Sequence, residues 1–211
     1  MNSETHPHDA PLVMVVREEL CLDYANTRYW RGSEAPTETL HRFDDLLEWL
    51  ARTADPAPLV ATARAWARDA AAVPELFAQA IAVREAIYGI FSGLAAGEPV
   101  ADRDLGRLNQ ALAEAPARRR IARRGDDGYG WQADIGDISA ATLLAPVLWS
   151  AAELLLNAPQ RRIRRCANDR CLWLFVDTSK SGTRRWCDMS SCGNRAKAAR
   201  HYSKVRHGKS D

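Results

Sequence analysis

Apolar positions along this chain recur mostly at spacings of three and four, with two interruptions where the texture turns strand-like. Leu12–Val16 (LVMVV) is a short β-branched run and predicts a strand. Between Glu18 and Thr27, Leu20, Tyr24 and Thr27 share one helical face with Cys21 and Ala25 beside them, the pattern of a buried helix. A turn through Gly32–Pro36 follows. Phe43, Leu46, Leu47 and Leu50, with Trp49 beside them, then mark an amphipathic helix. Two Ala-rich helices are predicted over Pro56–Ala72 and Pro74–Ala95, each with proline near its start. Leu76, Ala80, Val83, Ile87 and Phe91 form the apolar stripe of the second. Asp102–Glu114 predicts a further helix, with Leu105, Leu108 and Leu112 as its stripe and Asp102 as its cap. Arg119–Arg124 and Tyr129–Asp134 flank a glycine-bounded turn and read as a β-hairpin. Ser139–Asn157 reads as one long apolar helix stopped at Pro159, where a boundary is expected between residues 1–160 and 161–211.

Composition fits this picture of a folded chain: 46% of the 211 residues are hydrophobic and 27% charged. No apolar run approaches the ~20 residues of a membrane span, and the polar opening MNSETHPHDAP lacks the form of a secretory signal. A cytoplasmic protein is expected. Charge changes the picture more. The overall +2 divides into 15 Lys and Arg against 23 Asp and Glu up to Gln160, a net of −8, and 14 against 4 from Arg161 onward, a net of +10. Such asymmetry suggests a nucleic-acid-binding end on a domain with another task.

Four of the five cysteines fall in that basic end, as C-x4-C-x15-C-x4-C: Cys166, Cys171, Cys187 and Cys192. Two short pairs of soft thiolates supply the tetrahedral set that zinc prefers. The insert offers an apolar strand from Leu172 to Val176, a polar turn from Asp177 to Thr183 and a return through Arg184–Trp186, which would set the second pair beside the first. About fifty residues make a core that usually needs a staple, and a closed set of four thiolates is structural, not catalytic. Iron–sulfur ligation and disulfides are the alternatives. Cys21, alone on an apolar face, reads as a small buried hydrophobe.

Beyond Cys192 a helix is expected between Gly193 and Gly208, with Cys192 at its N-terminus. At 100° per residue Lys197, Arg200, Lys204 and His207 form one stripe, and Ala198, Tyr202 and Val205 fall opposite, to pack on the metal core. The expected contacts to double-stranded DNA are Arg184, Arg185, Arg195, Lys197, Arg200, Lys204 and Arg206. Arg118, Arg119, Arg120, Arg123 and Arg124 on the hairpin read as either a wing against DNA or a guard on a sheet edge.

The segment RRCANDRCLWLFVDTSKSGTRRWCDMSSCGNRAKAARHYSKVR resembles the CGNR zinc finger, named for the tetrapeptide found here at Cys192–Arg195. The resemblance assigns the four cysteines as ligands to Zn2+. Upstream, LCLDYANT at Leu20–Thr27 is similar to the ABATE domain that accompanies this finger. An α+β chain is thus expected: a mainly helical N-terminal domain with a short strand and a hairpin, then a small treble-clef-like or knuckle-type finger ending in a basic helix. The resemblance implies a bacterial transcription regulator with DNA as partner, the helical part sensing a small-molecule effector or holding a homodimer. Asp23, Asn26 and Arg28, in or beside the N-terminal signature, are candidate ligand-binding residues, with Arg28 suited to an anion. Against this stands a structural role in which Asp23 caps a loop and Arg28 pairs with it. Two rival functions are an adaptor finger for RNA or protein and an enzyme in the N-terminal part. No phosphate-cradling glycine loop, nucleophile elbow or HExxH helix supports the enzyme.

Overall fold

The computed structural model describes residues 12–14, 16–53, 57–68, 71–123, 128–133 and 136–199. Arg200, Tyr202, Lys204, Val205, Arg206 and His207 of the expected basic helix lie outside them, as do Arg124 and most of the hairpin turn.

The helices are α1 (Leu20–Ala25), α2 (Phe43–Thr53), α3 (Ala57–Ala67), α4 (Val73–Ala96), α5 (Asp102–Glu114), α6 (Ala140–Leu143) and α7 (Ala145–Leu156). α1 is short because it is enclosed: Leu20, Cys21, Leu22, Tyr24 and Ala25 are all buried, and the other helices pack around it in one core. Cys21 is fully buried there, with burial pushing its thiol up to about 12. α2 presents Phe43, Leu46, Leu47 and Leu50 inward, and Trp49 lies against Tyr24 with ring centroids 5.0 Å apart. α4 starts at a proline-bearing turn and stops at Gly97, whose φ of 73° closes the helix in the left-handed conformation.

Two expectations are corrected. Asp102 is the first residue of α5, and Ala101 occupies the cap position in extended backbone; the carboxylate still suits the positive helix end. Ser139–Asn157 is not one helix. Ser139 accepts the Thr142 N–H at 3.0 Å and caps α6, but Pro146 has no N–H to continue the ladder, so α6 stops at Leu143 and α7 begins at Ala145.

β1 (Leu12–Met14), β4 (Arg118–Arg123) and β5 (Tyr129–Ala133) form an antiparallel sheet in the order β1-β5-β4. Met14 and Ala133 meet Ala145 and Trp149 of α7 in a small second core. On the edge strand β4, Arg119, Arg120 and Arg123 are exposed, whereas Arg118 bonds Glu153 and lies over Trp131 and Trp149. The minimal strands β2 (Arg28–Tyr29) and β3 (Thr37–Glu38) pair in the loop between α1 and α2.

β6 (Ile163–Arg165) pairs antiparallel with β7 (Leu174–Val176). Ile163, Leu174 and Val176 belong to the same core as α1 and α4, so packing runs on across Pro159 without a break. Asn26 fixes the join. Its amide donates to the Leu174 carbonyl at 2.9 Å and accepts the Leu174 N–H at 3.0 Å.

A charged network that periodicity did not signal sits behind this join. Arg84, on the inward side of α4, is 1% exposed and grips Glu38 with two bonds of 2.6 Å, while its Nε donates to Glu85 at 2.9 Å. Arg31 reaches the same Glu85 at 2.7 Å and stacks on Tyr88 with its guanidinium 3.8 Å from the ring centre. The 28–38 loop is thereby tied to α4. Burial raises the Glu38 and Glu85 carboxyls, but bonds from Arg84 to Glu38 and from Arg31 to Glu85 outweigh it and hold both below the ordinary value of 4.5.

Arg84→Met is expected to cost about 2–4 kcal/mol of folding free energy, because the partly buried Glu38 carboxylate loses its cation while Glu85 keeps Arg31. A lowered folded-state pKa contributes stability above pH 4.5 that is lost as pH falls through the folded values. Denaturant unfolding followed below pH 4.5 should therefore show a decline that Glu38→Gln flattens. An identical acid limb in the variant would show that the pair contributes nothing.

Candidate metal centre

The first pair of cysteines is shaped by the β6–β7 ribbon. Cys166 continues the ladder by donating its N–H to the Trp173 carbonyl at 2.8 Å, and the chain then turns tightly over residues 167–171. Asn168 organises the turn: its side-chain oxygen accepts the Arg170 N–H at 3.1 Å and its carbonyl accepts that of Cys171 at 2.9 Å. The amide nitrogen of Asn168 points to the sulfur of Cys192, 3.5 Å away. A donor aimed at a thiolate is a usual outer partner of a metal ligand.

The second pair is returned by Asp177, which is 2% exposed and accepts the N–H groups of Ser179 at 3.0 Å and Arg184 at 3.1 Å. The Ala167 N–H bonds the Arg185 carbonyl at 2.8 Å and so clips the return segment to the knuckle. Asp188 then caps a π-helical turn over Met189–Gly193, accepting the N–H groups of Ser190 at 3.2 Å and Ser191 at 2.9 Å. Residues 194–199 continue as helix. The helix thus begins before Gly193, not after it, and Cys192 lies inside its first turn.

All four sulfurs lie within 4.8 Å of one another, and those of Cys171 and Cys187 are 3.7 Å apart. A zinc ion with Zn–S bonds of about 2.3 Å sets tetrahedral ligand sulfurs about 3.8 Å apart, whereas a disulfide needs about 2.0 Å. The donor set fits a metal. Sulfurs this close also compete for protons. Hydrogen bonding with Cys171 and Cys187 pushes the Cys166 thiol down to about 2, and Cys166 in turn pushes Cys171 up to about 12 and Cys187 upward too. A divalent cation among them removes that conflict.

The family model described as "ABATE: Putative stress-induced transcription regulator" matches residues 18–158. The chain belongs to the ABATE family. The CGNR zinc finger matches residues 162–205, so the four-cysteine cluster is a zinc site. No curated protein matches the sequence.

The ABATE region embraces this site. Trp30 packs on the cysteine cluster together with Trp173 and Trp186, and the Gly32 N–H donates to the Arg170 carbonyl at 3.2 Å. A side chain at position 32 would collide with the Asp169 carbonyl, so only glycine permits the approach. Trp30 and Leu172 hold φ of 53° and 58°, a left-handed conformation costly for such residues. Both lie in the segments that meet here, and Leu172 is further held by the Tyr88 hydroxyl, which donates to its carbonyl at 3.1 Å.

The expected DNA contacts are distributed unevenly. Lys197 and Arg185 are exposed. The guanidinium of Arg184 folds back over Phe175 at 4.5 Å and donates to the Trp186 and Cys187 carbonyls, a bracing role as well as a surface one. Arg195 stacks 4.5 Å from the ring centre of Trp30. Ala198 is exposed and does not pack on the metal core, whereas Cys192 is buried and Ala196, one turn further on, is half-buried.

The three candidate ligand residues are not one site. Arg17 pairs with Asp23, Leu174 occupies Asn26, and Arg28 lies 3.8 Å from Glu85 instead of pairing with Asp23. Asp23 and Asn26 do border a cavity of about 480 Å3 with Tyr29, Trp49 and Trp173, and Arg28 is not among its walls. Asn168, Asp177 and Trp30 were missed by sequence reasoning. Asp188 was missed too, although Asp followed by two serines is a cap signal.

Metal analysis is expected to give one zinc per chain, lost in Cys171→Ser. Because β7 belongs to both cage and core, zinc withdrawal should also lower the thermal midpoint of the helical region by several degrees. A helical melting curve indifferent to a chelator would disprove that coupling.

Proposed function

We propose that this ABATE protein is a zinc-dependent transcription regulator that binds duplex DNA through its CGNR finger. The observation that carries the reading is the placement of charge. Residues 161–211 hold fourteen Lys and Arg against four Asp and Glu, on a unit braced by four sulfurs. DNA presents one negative charge per ~1.7 Å of axis, so a rigid basic unit gains affinity from every counterion it displaces. The family's description as a transcription regulator supports the same reading. Arg185, Arg195 and Lys197 start the interface, and Arg200, Lys204 and Arg206 extend it in sequence.

The helical region is the receiving half. The cavity beside Asp23 and Asn26 has Trp173 of the finger in its wall, so a small-molecule effector held there would touch both parts. Homodimerisation is the other role open to this region. The zinc is structural, since four thiolates leave it no open position, and the chain acts on this reading by binding. Among the described residues no helix is long and apolar enough to cross a membrane, and a DNA partner fits a cytoplasmic chain.

Fluorescence anisotropy with labelled random duplex DNA is expected to show binding that weakens steeply with salt. Lys197→Ala combined with Arg200→Ala should weaken it for every sequence and flatten the salt slope by about 2. Preference for RNA of equal length in competition, or no retention of either, would refute the DNA reading.

A further inference from the structure

We infer that a second basic surface, an arginine-lined groove on the side of the zinc knuckle away from the helix, holds the phosphodiester backbone of the same duplex; this rests on the DNA-binding reading above. The groove has a volume of about 690 Å3 and is lined by Arg164, Arg165, Arg184 and Arg185, with Ala95 of α4 and Asp169 of the knuckle. Arg164 and Arg165 come from β6, ahead of the first cysteine.

All four arginines are exposed, and among the described residues none forms an ion pair. A guanidinium carries five N–H donors. Arg164 uses one, to the Gly182 carbonyl at 3.1 Å, and Arg165 uses one, to the Ser92 hydroxyl at 3.0 Å. Arg184 spends two on the carbonyls that brace it, and Arg185 lies over Trp186 with its guanidinium 5.2 Å from the ring centre. Each head is therefore steered by a fixed neighbour while most of its donors face water. That is preorganisation for anions, since less side-chain freedom is lost on binding.

Four exposed arginines, with Asp169 in the groove wall and Glu19 near Arg184 the acids beside them, leave more positive charge than one small anion balances. A chain of regularly spaced phosphates matches them. Position favours duplex DNA, because Ala167 and Asp169 line both this groove and the neighbouring cavity bordered by Arg195, Ala196 and Ala199. One knuckle thus separates the groove from the start of the basic helix, so both lie within reach of a single duplex. The groove is also stiff: β6 is paired to β7, and Arg165 is bonded to α4. It positions the duplex and reads no bases.

The test uses the intact zinc-loaded chain and labelled random duplex DNA over a salt series. Arg164→Gln with Arg165→Gln should keep the zinc and the melting temperature. The double variant should bind on the order of tenfold more weakly at moderate salt, with the slope of log affinity against log salt reduced by about 2. Arg119→Gln with Arg120→Gln on β4 removes as much charge and should change neither. Wild-type affinity and slope in the groove variant, with binding still lost in the Lys197 and Arg200 variant, would overturn the groove and leave the DNA reading standing. Equal weakening by the β4 pair would reduce the effect to net charge and also overturn it. A wild-type chain that ignores duplex DNA would overturn both.

Discussion

Coordination of one zinc ion by Cys166, Cys171, Cys187 and Cys192 is the constraint on which the arrangement of the C-terminal half depends. The segment between the two pairs is polar from Asp177 to Arg185, and no apolar core of its own would hold this return loop in place. The ion ties the loop's two ends together, and Asp177 and Asn168 fix what lies between. The ligands do not close an isolated appendix. Leu174 and Val176 follow Cys171 by three and five residues and lie in the main core, so coordination and burial reinforce each other along one strand.

How much of this was legible depends on the range of the interaction. Helices α2, α4 and α5 repeat their apolar positions every three or four residues and are recovered closely from the chain alone. The metal ligands are legible for a related reason, since thiolate chemistry constrains their spacing. The break at Leu144 came from Pro146, a local signal overridden in the reading by the apolar run around it. β6 was missed because a three-residue strand of Ile-Arg-Arg has no alternation to detect.

What stayed hidden are polar groups satisfied over long separations. Arg84 sits in a helix whose pattern promises a solvated cation, yet Glu38 makes its burial tolerable from 46 residues away. Asn26 looked like a polar lining for a ligand, and its partner is a backbone 148 residues on. Neither partner has a sequence signature, because any carboxylate and any peptide group would serve. Of the face of the terminal helix expected to pack on the metal core, Ala198 is exposed, because that face was placed opposite the basic stripe without the inward Cys192 and its π-helical turn, which have no signature in the spacing.

The shared strand β7 bears on how such a finger can be inherited or borrowed. A zinc module tethered by a loose linker can be cut out and grafted onto a foreign protein with its fold intact. Here, transplantation would strip Ile163, Leu174 and Val176 of the helices that cover them and leave Asn26 without its peptide partner. The finger would arrive with a greasy flank and a tendency to self-associate. Recombination should therefore move the two halves as one unit, and domain swaps among relatives will succeed only where the LCLDYANT helix travels along.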